Sequence, residues 1–136
     1  MSEVVTGEGY AVGNLDDLGD GPGFRKIRAP LGVTAFGVNA VLLPAGIESG
    51  KHFHDEQEEL YFVHQGELEF VFNDESRHTL RAGSLARVDP KTVRQIRNTG
   101  DMEAVYICVG GKDGYVGRDG QVPEGEDGNR ARPIAS

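Results

Sequence analysis

The chain has 136 residues and a formal net charge of −8, a length typical of one domain that buries a core without disulfides. The negative charge argues against a nucleic-acid or anionic-membrane surface, because both need clusters of lysine and arginine. The first residues, MSEVVTGEGY, have neither a basic start nor an apolar run, and no window approaches about 20 apolar residues. We therefore expect a cytoplasmic protein without a membrane span.

The chain begins with a glycine-rich and acidic stretch, residues 1–23. Its few apolar residues are scattered, so we predict an N-terminal arm with one short strand at residues 9–12. Short β-prone runs begin at Phe24, and each is ended by Gly, Pro, Asn or Asp. These runs continue to about residue 112, and none of them keeps a helical period over ten residues.

The run ELEFVF shows the clearest strand pattern. Leu68, Phe70 and Phe72 alternate with Glu67 and Glu69, which is the period-two signature of a half-buried strand. About eight such runs at regular spacing predict an all-β antiparallel sandwich or barrel over residues 24–112. The polar, glycine-rich residues 113–136 are predicted to form a C-terminal tail that packs loosely or drapes over a partner.

Two of the four histidines stand one residue apart in GIESGKHFHDEQEELYFVHQG. On a strand, His52 and His54 would share one face, about 6.6 Å apart along the backbone. If residues 55–58 turn the chain, Glu59 at the start of the next strand returns beside them. Two imidazoles and a carboxylate suit Fe(II), Mn(II), Zn(II), Ni(II) or Cu(II).

The residues around this pair resemble the first motif of the cupin superfamily, G(X)5HXH(X)3–4E(X)6G. Gly46, His52, His54, Glu59 and Gly66 match every specified position. The resemblance covers about residues 30 to 110 and implies a jelly-roll barrel, the double-stranded β-helix. In metal-binding cupins the two histidines and the glutamate of this motif are ligands.

The second cupin motif, G(X)5PXG(X)2H(X)3N, is only partly present in GSLARVDPKTVRQIRN. Gly83 and Asn98 match, but Arg94 occupies the position of the histidine that is usually the fourth ligand. Arginine stays protonated and cannot bind a metal. An inward guanidinium at 6 Å would also repel a dication by about 5–6 kcal/mol before screening.

Three arrangements of the Arg94 position stay open from the sequence. A metal held by three residues and water is the first, with Arg94 turned aside to bind an anionic group of a substrate. The second has no metal, and Arg94 forms an ion pair with Glu59. In the third, a one-residue shift of the strand turns Gln95 inward instead.

The remaining polar residues favour structural roles. His64 lies on the opposite face of its strand from Glu59, and His78 follows a turn-like stretch, so both are expected at the surface. Tyr61 shares the Glu59 face, where a core tyrosine or a hydrogen-bond donor to a bound ligand both fit. The single cysteine, Cys108, sits in the apolar run AVYICVG and is expected to be a buried thiol.

The strand faces opposite the motif predict a homodimer. Phe53, Leu60 and Phe62 lie on the reverse face and are more apolar than an exposed sheet usually is. Cupins of this size commonly pair through such outer faces.

Two main function classes follow from these residues, with no catalytic residue assigned, and an assembly protein with a vestigial pocket stays open as a third because the second motif is incomplete. The first is a metal-dependent enzyme acting on a small anionic organic molecule, a dioxygenase-like oxygenase or a lyase or isomerase, with Arg94 and Tyr61 contacting the substrate. The alternative is a non-catalytic module that binds a small molecule or anion through Arg94 without metal. The fold alone does not decide between them, because one barrel hosts many functions.

Overall fold

The structure is a computed structural model that describes residues 4–126, 128 and 130–135. Helix is limited there to a 3-10 turn at Leu15–Asp17 and the helix α1 at Arg28–Leu31. Both are far shorter than the apolar helix that a membrane crossing requires. The strands are β1 (Val5–Gly7), β2 (Tyr10–Val12), β3 (Gly23–Lys26), β4 (Gly37–Leu43), β5 (Ile47–Glu48), β6 (Phe53–His54), β7 (Glu58–Gln65), β8 (Glu67–Phe72), β9 (Ser76–Arg81), β10 (Leu85–Val88), β11 (Arg94–Arg97), β12 (Ala104–Gly111), β13 (Gly120–Gln121) and β14 (Arg132–Pro133).

Two five-stranded antiparallel sheets form the barrel. One has the order β10-β7-β12-β4-β3, and the other has the order β14-β5-β11-β8-β9. The short strands β13 and β6 pair with each other, and β1 and β2 form a hairpin within the N-terminal stretch. The all-β jelly-roll fold predicted from the sequence is therefore confirmed.

The core lies between the two sheets and follows the alternation seen in the sequence. Leu68 and Phe70 are at most 1% exposed, whereas Glu67 beside them is exposed. Inward residues of β7, such as Tyr61 and Val63, meet them from the facing sheet. The full cluster consists of Leu43, Tyr61, Val63, Leu68, Phe70, Val88, Ile96, Ala104 and Tyr106.

Three residues of the two sequence motifs, Gly46, Gly66 and Asn98, have structural roles in turns and loops. Gly46 and Gly66 have φ values of 79° and 80°, in the left-handed region that side chains disfavour. A Cβ at Gly66 would also lie 2.9 Å from the Cβ of Ala104. The Nδ2 of buried Asn98 donates to the carbonyls of Leu43 and Met102, each at 2.8 Å. These positions therefore serve the fold.

The C-terminal segment is held against the barrel more closely than its composition predicts. Strand β13 pairs with β6, and β14 pairs with β5. Arg132 donates to Glu48 Oε2 at 3.0 Å, and Arg97 donates to Glu48 Oε1 at 2.9 Å. Strand pairing and the shared carboxylate of Glu48 thus hold parts of this segment, and the expectation of a loosely packed or partner-draped tail stays a prediction. The division of the chain at residues 23 and 112 stays a prediction.

Candidate metal centre

The backbone of β6 and its neighbours brings the two histidines together. The amide of His52 donates to the carbonyl of Arg94 at 3.1 Å, and the amide of Arg94 donates back at 2.9 Å. His54 pairs with Gly120 in β13. Since successive side chains alternate in direction, both imidazoles lie on one face while Phe53 faces the other. Their ring centroids are 5.1 Å apart, with the planes at 85°.

Glu59 comes back beside the histidines because residues 55–57 turn the chain into β7. It lies opposite Val88 of β10 and Gly110 of β12. A Cβ at Gly110 would be only 3.2 Å from the Cγ of Glu59, so the glycine leaves room for the carboxylate. Tyr61 donates its hydroxyl to Glu59 Oε1 at 2.7 Å.

One ligand atom from each of His52, His54 and Glu59 lies within 4.8 Å of the other two. Two buried imidazole nitrogens here, His52 Nδ1 and His54 Nε2, have no hydrogen-bond partner among the described residues. His54 Nε2 is only 3.2 Å from Glu59 Oε1, but the two atoms are not aligned as a hydrogen bond. Buried polar atoms without partners are costly, and a divalent cation would satisfy them. The donor set therefore fits a transition metal.

The electrostatics of the site keep two of its three donors, His52 and Glu59, in the unprotonated form that binds a metal. Burial, followed by the charge of Arg94, lowers the pKa of His52 to about 4, so its imidazole is neutral near neutral pH. Burial raises the pKa of Glu59, but the contact with His54 and the hydrogen bond from Tyr61 outweigh it and bring the pKa to about 2. For His54, burial lowers the pKa, but Glu59 and Asp119 outweigh it, and the net pKa is raised.

Arg94 lies directly beside this group and is 0% exposed. Its Nη2 donates to the carbonyl of Asp89 at 3.2 Å and lies 4.0 Å from Glu59 Oε1. Its Nε and Nη1 have no hydrogen-bond partner among the described residues. The guanidinium is therefore turned partly aside towards the backbone, and it still contributes a positive charge to the site.

The strand register does not support an inward Gln95. Ile96, two residues from Arg94, belongs to the core cluster, so Arg94 and Ile96 share the inner face of β11. Gln95 points the other way and donates its Nε2 to the carbonyl of Ser49 at 2.9 Å. Arg94 is thus the inward residue at this position.

The sequence did not indicate two further residues of the site, Asp119 and Gln57. Asp119 Oδ1 lies 2.8 Å from His54 Nδ1, and the side chain of Gln57 donates to the same oxygen at 2.5 Å. Asp119 follows His54 by 65 residues and stands in a polar, glycine-rich stretch, where no spacing pattern distinguishes it.

The other two histidines, His64 and His78, are exposed, as expected from the sequence.

A cavity of about 990 Å³ opens at the three candidate ligands. Its lining combines apolar side chains with arginines of the C-terminal segment. Cys108 is only partly buried and lines this cavity; burial and then the charge of Glu59 raise the pKa of its thiol, so it is not a thiolate. The lining includes Phe24, Val41, Leu43, Ile47, Tyr106, Val116, Arg118, Arg130 and Arg132.

Comparison with solved structures shows the same barrel. A cupin protein from Bacteroides fragilis is 26% identical, with a TM-score of 0.62 over 80% of this chain and 87% of that chain. An uncharacterized conserved protein with a double-stranded β-helix domain, from Klebsiella pneumoniae, is 21% identical, with a TM-score of 0.60 over 66% of this chain and 76% of that one. No curated protein matches the sequence.

A third similar structure is the DMSP lyase DddQ from Ruegeria pomeroyi, at 26% identity and a TM-score of 0.58. The match covers 68% of this chain but only 46% of the lyase chain. The family model described as "Cupin domain" matches residues 39–110, which agrees with the range of the sequence resemblance. Because that match spans more than half of the chain and the barrel agrees, the protein belongs to the cupin family.

Proposed function

We propose that this protein is a metal-dependent enzyme that acts on a small anionic organic molecule in the barrel cavity. The observation that carries the proposal is the convergence of His52, His54 and Glu59, with ligand atoms within 4.8 Å of one another, at the wall of the cavity. Three protein ligands leave coordination positions for water or substrate, as catalytic metal sites require.

The proposed ligands would hold Fe(II), Mn(II), Ni(II), Cu(II) or Zn(II). Such an ion supplies Lewis-acid polarisation of a substrate oxygen or, where it is redox-active, activation of O₂. The chain's own residues orient the ligands and set the charge of the site. Tyr61 donates to Glu59 and keeps that carboxylate oriented, and Tyr106 and Ile47 contribute apolar surface to the cavity lining.

The substrate class follows from the charges around the cavity. Arg118 and Arg130 belong to the C-terminal segment and line the cavity. Their guanidinium groups could form charge-assisted hydrogen bonds with a carboxylate or phosphate of a bound molecule. Arg94 and Tyr61 are 0% and 2% exposed, so their predicted substrate contacts stay predictions and need a ligand that reaches past Glu59. The likeness to a DMSP lyase supports a lyase reaction ahead of an oxygenase or isomerase.

A second candidate function is a metal-free binding module. The 4.0 Å separation of Arg94 Nη2 and Glu59 Oε1 favours it, because a buried guanidinium already offsets the carboxylate. In that case an anion in the cavity would be the ligand. The metal content of the purified protein distinguishes the metal-dependent enzyme from the metal-free binding module.

We expect wild-type protein, purified without a histidine tag, to carry about one equivalent of a transition metal, as one three-residue site would. His52→Ala should lower this below about a tenth of an equivalent, because two ligands rarely retain such an ion. The measurement is metal content by inductively coupled plasma mass spectrometry. His64→Ala removes an exposed histidine outside the site and should keep the wild-type content. Absence of metal from wild type, even after anaerobic loading with Fe(II) or Zn(II), would favour the binding module.

We also propose a homodimer formed through the outer face of the β7 sheet. On this face Leu60 and Leu85 are 43% and 62% exposed, and Phe62 lies opposite Leu85 and Ile107. Exposed apolar patches of this kind favour a protein partner. A cytoplasmic location, expected from the sequence, stays a prediction.

Light scattering at micromolar concentration should give about twice the chain mass of 14.7 kDa. Leu85→Glu should shift the mass towards the monomer, because a carboxylate without a partner is costly to bury in an apolar interface. Met102→Glu, at a 70% exposed residue in the loop before β12, is the matched control and should leave the mass unchanged. A monomeric wild type contradicts the homodimer.

A further inference from the structure

The C-terminal segment reaches the candidate metal centre through β13. Gly120 pairs with His54, and Gln121 pairs with Phe53. The amide of Asp55 donates to the carbonyl of Asp119 at 3.2 Å. These backbone contacts place the Asp119 side chain next to the His54 ring, although the residue lies outside the region that the family model matches, 39–110.

The carboxylate of Asp119 is the acceptor for several donors. Oδ1 lies 2.8 Å from His54 Nδ1 and accepts from Gln57 Nε2. Oδ2 accepts from the amides of Glu56 and Gln57 at 2.8 and 3.0 Å. The Asp119 side chain is 9% exposed. It is therefore fixed from both sides, by the turn before β7 and by the imidazole.

This contact determines which nitrogen of His54 can bind a cation. A carboxylate only accepts hydrogen bonds, so the Nδ1 that faces it carries the proton. The other nitrogen, Nε2, then bears the lone pair when the ring is neutral, and Nε2 is the atom that faces Glu59 at 3.2 Å. A carboxylate on the far nitrogen of a ligating histidine also fixes the ring and raises its basicity.

We propose that Asp119 is the positioning residue of the metal site: it holds His54 as an Nε2 ligand, and the C-terminal segment is thereby a component of the site. The inference rests on the proposed function. It adds that residues outside the family's matched region set the affinity for the metal. Asp119 immediately precedes β13, so docking of this segment and completion of the site are one event.

A purely structural role for Asp119 makes a different prediction. If the Asp119 carboxylate only attached the C-terminal segment to the turn before β7, other residues that connect this segment to this turn would affect the metal affinity equally. Asp55 is such a residue, because its carboxylate accepts from Gln121 Nε2 at 2.9 Å and from Lys91 Nζ at 3.3 Å, and within the described part of the chain it makes no hydrogen bond to the His54 ring. Asp55→Asn is therefore the matched control.

The test is the dissociation constant for Co(II) and Zn(II), measured by competition with a chromophoric chelator. Asp119→Asn and Asp119→Ala should bind about 10- to 100-fold more weakly than wild type. The visible absorption of bound Co(II) should also change, because the His54 ring is no longer fixed. Asp119→Glu should recover part of the affinity, since it restores a carboxylate. Asp55→Asn should stay within about threefold of wild type, as expected for a residue outside the coordination shells.

Circular dichroism establishes that each variant is folded before titration, and Asp119→Asn keeps the shape of the side chain for that purpose. Equal affinities of wild type, Asp119→Asn and Asp119→Ala would overturn the inference and leave the proposed function standing. If Asp55→Asn lowered the metal affinity as much as Asp119→Asn does, Asp119 would only attach the C-terminal segment to the barrel, and the inference would be overturned. A wild-type protein that binds neither ion contradicts the proposed function itself, and the inference with it.

Discussion

Replacing Phe70 with alanine is expected to lower the free energy of unfolding by about 3–5 kcal/mol, the range for large aromatic truncations in a core. Phe70 is 0% exposed and lies at the centre of the core cluster. Its ring centroid is 5.5 Å from that of Tyr61 and 6.3 Å from that of Tyr106. Alanine would remove both aromatic contacts and leave a cavity between the sheets. Urea unfolding followed by circular dichroism, at one fixed protein concentration, measures the change.

Phe24→Ala is the matched control. Phe24 is also an aromatic residue on a barrel strand, but it is 69% exposed at the sheet edge. Its truncation should change the free energy of unfolding by no more than about 0.5 kcal/mol. A Phe70→Ala cost similar to that of Phe24→Ala would mean that the two sheets do not pack as the structure shows.

The barrel could be predicted from the sequence because its signals are local. The alternation Leu68, Phe70, Phe72 reports which face of β8 is buried, and the glycines report where strands end. Gly66 illustrates this, since its positive φ and its contact with Ala104 leave no room for a side chain. The position of the C-terminal segment has no such local signal. It depends on ion pairs such as Arg132 with Glu48, which join distant parts of the chain.

The difference between local sequence signals and contacts of distant residues also applies to the candidate metal site. His52, His54 and Glu59 lie within eight positions of one another, so strand alternation and one turn are enough to predict that they meet. Asp119 meets them only through the pairing of β13 with β6. No period or motif relates residue 119 to residue 54, and the contact emerges only from the folded backbone. The sequence left open whether Arg94 or Gln95 faces inward, and only the folded strand β11 shows that Arg94 does. The contact of Arg94 with Asp89 had no signal in the sequence either.

Replacing Arg94 with histidine is expected to raise the affinity for a divalent transition metal by at least about 100-fold. The Arg94 guanidinium lies 4.0 Å from Glu59, and a unit charge 6 Å from a dication costs about 5.5 kcal/mol at an effective dielectric near 20. Half of that, after screening, corresponds to about 100-fold in the dissociation constant. The new imidazole would also share a strand face with its backbone partner, His52, where the family's fourth ligand usually stands.

Arg94→Gln separates the two contributions, because it removes the charge without adding a strong metal ligand. Chelator competition with Zn(II) should give this variant an affinity between those of wild type and Arg94→His.

Equal gains in affinity in both variants would mean that charge alone limits metal binding and that the histidine does not reach the ion. No gain in either variant would mean that the guanidinium is already held too far towards Asp89 to act on the site. The three protein ligands would then be sufficient by themselves, and Arg94 would be a structural residue. A wild type without affinity and an Arg94→His variant with it would identify Arg94 as the residue that converts a metal site into an anion pocket.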